Sequence, residues 1–503
     1  MIGRRSFLIL IGRATTALLG FVGLYFMTRY LGKDIYGSIA FTMALVASFN
    51  SLSDLGFSSA HVKRVSEGCD SRDCLSTFAI IKLILNGAMA AITLVSIFIW
   101  SNYLGNPLTA GTWSLLLLFL LYYVMYNVSS VVTAHYSATM EQAKGQIVAL
   151  FDPLVRVPLV IFVCLGVGGA INIAYAYVLA SLSIMIVALL FIYRDRMSWT
   201  RPTLFRTYFK FAKPLMLVAI IGTLAATMDK VILGLDWGND AVATFSSSQA
   251  ILGVLAILSA SVATMTFPSF SKLHTDGNIK EISKLTWQAE RYISMLTMPI
   301  VAVIVIFPTE CARILLGGTF ADAGEPLRYL AIATLLGMLN SVHSSQILAV
   351  NRPDTSAKLT LLNFLVYGGL LLVLVPVNLV GFPALGLADT GAAIANLIAI
   401  IVLLVFTRYT VYKLTGTSAN PRLALHVVAA AGSAIWLLFL SNFLALSGSL
   451  DLVAYGLTSS LVFAVVLYAL RELKREDIDY FLDLLSVRKM LSYISKELRQ
   501  KDR

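Results

Sequence analysis

Charge is what this chain has least of. Only 13% of its 503 residues are charged, against 58% hydrophobic, where a soluble domain carries about 25% charged residues. That excludes a solvated globular enzyme. No stretch reads G-x-x-x-x-G-K-[ST], so no phosphate cradle for ATP is present. The Gly32-Lys33 pair lacks the preceding glycine and the following Ser or Thr. No H-E-x-x-H and no paired C-x-x-C occurs. The four cysteines include Cys69 and Cys74 in one short basic loop, with no second Cys or His pair to complete a zinc site, and they read as reduced bystanders. The sequence calls for no cofactor and no metal. No connection is long enough for a soluble catalytic domain, so a transporter is expected rather than an enzyme.

What is present is a succession of apolar runs. At roughly twenty residues per bilayer crossing they number about fourteen. They cover 6–30, 36–60, 76–100, 112–135, 147–168, 171–193, 211–235, 240–266, 289–308, 328–350, 356–378, 386–410, 423–445 and 450–470. The first run is too long for a signal-peptide core and reads as a retained helix. The expected fold class is all-α: a polytopic membrane protein with two six-helix lobes and two C-terminal helices.

Lysine and arginine test that count. With the N-terminus in the cytoplasm, the inner segments hold Arg4, Arg5, Lys63, Arg64, Arg72, Lys144, Arg194, Arg196, Arg201, Arg206, Lys210, Lys213, Lys272, Lys280, Lys284, Arg352, Lys358, Arg408, Lys413 and Arg422. The outer loops hold Lys33 and Arg313, with Arg29 and Arg328 at their edges. This asymmetry is the positive-inside pattern and predicts both termini in the cytoplasm, in a cell membrane. It also accounts for the net charge of +11 through attraction to anionic lipid, without nucleic acid.

An internal repeat is suggested at an offset of about 200 residues. Leu31-Gly32-Lys33-Asp34 closes the first span, and Leu233-Gly234-Leu235-Asp236 closes the seventh. Each leads into a Ser/Ala-rich helix and a basic loop near Glu67-Gly68 or Asp276-Gly277. Two lobes of like orientation follow: 1–200 and 201–420, then two further spans in 421–470 and a tail in 471–503. The tail spaces Ile478, Phe481, Leu482, Leu485, Leu491, Ile494 and Leu498 as an amphipathic helix does, which suits the inner membrane surface.

A charge inside the bilayer costs at least about 2.5–3.5 kcal/mol and must face a partner or water. The candidates are Arg13, Asp54, Lys82, Asp152, Arg156, Asp229 and Lys230. Asp152 and Arg156 are four apart and can pair along one helix face. Asp229 and Lys230 are adjacent, about 100° apart on a helix, so each needs another partner. The set leans basic. Arg13, Lys82, Arg156 and Lys230 form a candidate cationic path for an anionic cargo, with Asp54, Asp152 and Asp229 as pairing or ion-coupling groups. Tyr122, Tyr123, Tyr126, Asn127 and His135 give the fourth span a polar, aromatic face, readable as sugar stacking or helix packing. Asn340, His343 and Gln346 read as polar glue in the tenth.

Tyr30-Leu31-Gly32-Lys33-Asp34-Ile35-Tyr36-Gly37 and Leu52-Ser53-Asp54-Leu55-Gly56 resemble the start of polysaccharide flippases of the Wzx type. Met228-Asp229-Lys230-Val231-Ile232-Leu233-Gly234 resembles their seventh-helix signature, and Phe267-Pro268-Ser269-Phe270-Ser271 ends the eighth span as theirs does. The resemblance runs from residue 6 to about 420. It implies the multidrug/oligosaccharidyl-lipid/polysaccharide exporter superfamily, fourteen helices in two lobes, and alternating access. It also implies a cargo of polyprenyl-linked glycan on one or two phosphates. The denser arginines of lipid II flippases are thin here. A cation-coupled small-molecule (drug) exporter of the same superfamily is the alternative. A third class is a scaffold for glycan-assembly enzymes. A monomer is expected, with membrane lipid around it.

Overall fold

A computed structural model describes residues 2–103, 109–139, 141–166, 168–195, 199–379, 382–473 and 477, and the side chains of 2–11, 13, 103, 142, 143, 214, 257–265, 267 and 268 lie outside that description. The chain is all-α apart from a two-residue β pair, Asn378–Leu379 with Phe382–Pro383. Helix is the expected outcome. In a bilayer every backbone N–H and C=O must be satisfied within its own segment.

The first half contains α1 (Ile2–Tyr30), α2 (Lys33–Asn50), α3 (Phe57–Ser66), α4 (Ser71–Tyr103), α5 (Ala110–Ala138), α6 (Gln142–Leu165) and α7 (Ala170–Arg194). The second contains α8 (Phe205–Asp236), α9 (Asn239–Thr275), α10 (Ile279–Ile306), α11 (Pro308–Leu316), α12 (Gly324–Ala349), α13 (Pro353–Leu374) and α14 (Ala388–Thr415). Then come α15 (Leu423–Leu440) and α16 (Ser449–Ala469). Among the described residues, eleven helices are long and apolar enough to cross a membrane, so the number fourteen stays an expectation. The amphipathic tail expected at 471–503 lies almost wholly outside the described residues.

Three features depart from the expected spans. The second span is not one helix. After α2 the chain makes a 3-10 turn at Ser51–Ser53, and Leu55 (φ 45°) and Gly56 (φ 82°) adopt left-handed backbone before α3 starts. Asp54 sets this break, because its carboxylate accepts from the Gly56 and Ser58 backbone N–H groups and the Ser58 hydroxyl. Second, α10 starts ten residues before the expected ninth span, at Ile279. Third, the repeat has a different register from the LGKD/LGLD match. Gly32 (φ 80°) precedes α2 and Gly238 (φ 78°) precedes α9, whereas Gly234 lies inside α8. Equal roles, an extended turn that a side chain would strain, pair Gly32 with Gly238.

Packing runs both within the two sequence halves and between them. Helix α1 packs on α6, and α7 on both α5 and α6; α12 packs on α9 and α14, and α13 on α14. The bridges run from α2 to α8 and α9, and from α1 to α9. At one bridge α2 and α9 nearly touch. A β-carbon on Gly37 would sit 2.0 Å from the Asn239 carbonyl oxygen. Helices α15 and α16 pack on each other and on α10.

Candidate functional site

The intramembrane charges resolve into three separate clusters. The first is on α6 and α7. Arg156 donates from Nε to Asp152 Oδ2 at 3.1 Å, so the pair predicted from their spacing of four forms. Its guanidinium also lies over the Tyr177 ring, 4.9 Å from the centroid, and Nη1 donates to the Tyr177 hydroxyl at 3.4 Å. Tyr177 meets Tyr122 edge-on at 5.4 Å, and Tyr122 in turn contacts Tyr123 and Tyr126. Four tyrosines from α5 and α7 therefore form one connected group, and Tyr177 is the member in contact with Arg156. The Asp152 carboxyl is buried, and its Oδ1 has no partner among the described residues. Chemically, this is a cation with aromatic walls and one spare buried acceptor. Arginine suits it, because a planar guanidinium both stacks on rings and binds oxyanions bidentately.

The second cluster ties α4 to the α2–α3 break. Lys82 is 4% exposed and donates to Asp54 Oδ1 at 3.1 Å. Asp54 is the carboxylate that caps α3, so Lys82 neutralises a group the backbone already needs.

The third cluster is the adjacent pair on α8. Asp229, 2% exposed, accepts from the Tyr367 hydroxyl of α13 at 3.0 Å and from Gln249 Nε2 of α9 at 3.1 Å. Lys230 Nζ lies 3.7 Å from Asp229 Oδ1 and its side chain keeps 19% exposure. Asp229 therefore finds partners on neighbouring helices, as expected, whereas Lys230 departs from the expectation of a partner elsewhere and pairs with Asp229 itself. Arg13 lies in α1, and its side chain falls outside the described residues.

The polar face expected on the fourth span divides. Asn127 donates to Asn50 at 2.8 Å and to Asn86 at 3.3 Å, which is helix packing. His135 leaves the tyrosines and meets His61 at 3.1 Å; His61 in turn reaches the Tyr208 hydroxyl at 2.9 Å. Burial raises the pKa of that phenol. Polar glue describes part of α12 well, for Gln346 donates to Thr415 and Thr417 and accepts from Thr286.

Sequence reasoning missed Tyr177, Glu290 and Arg408. Tyr177 looked like one aromatic among many. Its spacing across from Arg156 exists only in three dimensions. Glu290 sits at the edge of the expected ninth span, where a carboxylate reads as interfacial. In the structure it is 1% exposed and accepts from Arg408 Nη2 at 2.5 Å. Among the described residues, no group of three or more His, Cys, Asp or Glu is placed to hold a metal ion.

The bundle keeps charged groups buried between its helices. It is similar to the solved structure of a lipid II flippase, MurJ, in an inward closed conformation, with a TM-score of 0.72, 14% identity, and coverage of 91% of this chain and 98% of that one. It is also similar to an inward-facing multidrug resistance MATE family transporter of the MOP superfamily (TM-score 0.64, 18% identity, 82% of this chain and all of that one). These likenesses give the fold, that of the superfamily the resemblance implied. The chain belongs to the polysaccharide biosynthesis protein family (Polysacc_synt_3), whose profile matches residues 26–325, more than half of its length. It is 23% identical over 367 residues to a probable low-salt glycan biosynthesis flippase, Agl15, of Haloferax volcanii, a match spanning 72% of this chain and 75% of that protein.

Proposed function

We propose that this protein flips a lipid-linked oligosaccharide, carried on a polyprenyl phosphate or diphosphate, from the cytoplasmic to the outer leaflet by alternating access. The observation that carries this reading is Arg156 stacked on Tyr177, which joins the tyrosines of α5, in a chain whose family is one of polysaccharide biosynthesis. The guanidinium supplies a bidentate donor for a phosphate oxygen. The rings supply faces for sugars and keep water from competing. Lobes 1–200 and 201–420 rock against each other along α1, α2, α8 and α9. Lys230 offers the second cationic step and Arg13 a further one. Lys82, bound to Asp54, holds the wall in place. The protein works as a monomer in the cell membrane, with both termini in the cytoplasm, as a transporter rather than an enzyme, beside the enzymes that assemble the glycan.

The spare oxygen of Asp152 favours a second reading, cation-coupled export of small molecules. One experiment decides between them. The chain is reconstituted with a fluorescent polyprenyl-diphosphate glycan and, separately, with a cationic dye under a proton or sodium gradient. Glycan translocation that Arg156→Ala abolishes supports the flippase. Dye export that Asp152→Asn abolishes, with no glycan movement, overturns it.

A further inference from the structure

Away from the three clusters, a cavity of about 330 Å³ opens where α12 and α14 meet the 417–419 connection, lined by His343, Arg408, Tyr409, Tyr412, Thr417 and Ser418. Two buried nitrogens there have no partner among the described residues: His343 Nδ1 and Arg408 Nε. His343 is 4% exposed, and its other nitrogen, Nε2, lies 3.0 Å from Glu290 Oε1. Glu290 also accepts from Arg408. The carboxylate thus fixes Nε2 as the N–H end and leaves Nδ1 for whatever occupies the cavity. A buried polar atom without a partner is costly, so a fold that keeps two beside one cavity has reason to fill it.

The chemistry of the lining selects the occupant. Arg408 provides guanidinium N–H donors for a phosphate oxygen, and Ser418 adds a hydroxyl at the rim. In the tautomer with its N–H on Glu290, Nδ1 is an acceptor, which calls for a hydroxyl on the ligand. Tyr409 and Tyr412 are more than half exposed, as tyrosines at a membrane–water interface are. The Lys413 ammonium lies 4.6 Å from the Tyr409 ring centroid and adds positive charge to that wall. The Lys and Arg tally assigns this end to the cytoplasmic leaflet, where anionic headgroups concentrate. We propose that the pocket binds the headgroup of an anionic membrane lipid that carries both a phosphodiester and a hydroxyl, with the phosphate on Arg408 and the hydroxyl on His343 Nδ1. The site is separate from the Arg156 cluster and does not depend on what that cluster transports.

The test uses the purified full chain and native mass spectrometry, titrating phosphatidylglycerol against phosphatidylcholine. His343→Gln keeps an N–H for Glu290 and loses Nδ1. Ser418→Glu puts a negative charge at the exposed rim and spares the carbonyl that accepts from Trp287. Phosphatidylglycerol should bind the parent chain preferentially, and each variant should weaken that binding about tenfold, the equivalent of one hydrogen bond. Thermal stability without lipid shows that the variants are folded. Equal binding of the two lipids, or undiminished phosphatidylglycerol binding by the folded Ser418→Glu chain, overturns the proposal. Displacement of the lipid by soluble glycerol phosphate at millimolar concentration assigns the same chemistry to a free phosphate and overturns the lipid as its source.

Discussion

Arg156 holds together a carboxylate, a phenol and a ring face, so its replacement does two things at once. Arg156→Ala leaves Asp152 charged and buried, which typically costs about 3–5 kcal/mol. Pairing Arg156→Gln with Asp152→Asn should recover most of that stability and still leave glycan translocation at background. Thermal denaturation alongside the translocation assay reads both, and a double variant that is stable and active would reduce the pair to a fastener. The pair on α8 should behave oppositely. Asp229 keeps Tyr367 and Gln249 when Lys230 is lost, so Lys230→Ala should lower transport with little change in melting temperature. Tyr367→Phe removes a hydrogen bond to a buried carboxylate, worth about 1.5–3 kcal/mol, and should destabilise more than Lys230→Ala does. These charges were visible in the sequence because a bilayer makes every ionisable residue conspicuous. Their partners were not. Tyr177, Gln249 and Tyr367 are ordinary residues on other helices, and only packing brings them to Arg156 and Asp229.

Helices were the most legible elements, since a long apolar run in lipid has one way to satisfy its backbone. Their interruptions were less so: Asp54 reads as a stray intramembrane charge until its carboxylate is seen capping α3. At the other end of α2, Gly37 permits an approach to α9 that no side chain tolerates. Gly37→Val should push the two helices apart. A chain carrying Asp34→Cys and Asn239→Cys, positions that pair between α2 and α9 at this end, should crosslink efficiently; adding Gly37→Val should cut that yield severalfold, and an unchanged yield would show that the close approach at Gly37 does not set the spacing there. A different fastening joins the ends of α5, α6 and α7. Asp195, just past α7, accepts from the Tyr136 hydroxyl at 2.8 Å and from Lys144 at 2.6 Å. The hydrogen bond from Lys144 comes first among the causes that hold the Asp195 carboxyl below its ordinary pKa. A depressed carboxylate stabilises the fold above its unfolded pKa and loses that contribution as pH falls through the folded value. Melting curves between pH 7 and pH 3 should therefore converge for the parent and Asp195→Asn at the acid end, the parent being the more stable at neutral pH.

For the molecule as a whole, the proposed orientation rests on the uneven distribution of lysine and arginine, which needs no structure to read. Cysteines at positions 102 and 280, at opposite ends of helices in that scheme, should label from opposite sides of intact cells. An impermeant maleimide should reach 102 and miss 280, and the reverse result would invert every directional statement above. The repeat that suggests two halves is a weak echo in the sequence, because helices matched by role, such as α2 and α9, share little beyond the glycine that precedes them. The end where those helices meet has a further consequence. Besides the glycine contact, it is joined by the pair of Lys33 with Asp322, by Asn239 donating to Asp34 at 2.7 Å, and by Arg29 donating to the Ile314 carbonyl at 2.5 Å. The Asp322 side chain is 62% exposed, and dissolved ions weaken such a pair, the screening length being about 8 Å at physiological ionic strength. In the proposed orientation this end faces the surrounding medium. The saltiness of that medium then becomes a term in the working cycle: brine loosens the latch and dilute water tightens it, with no sensor domain required.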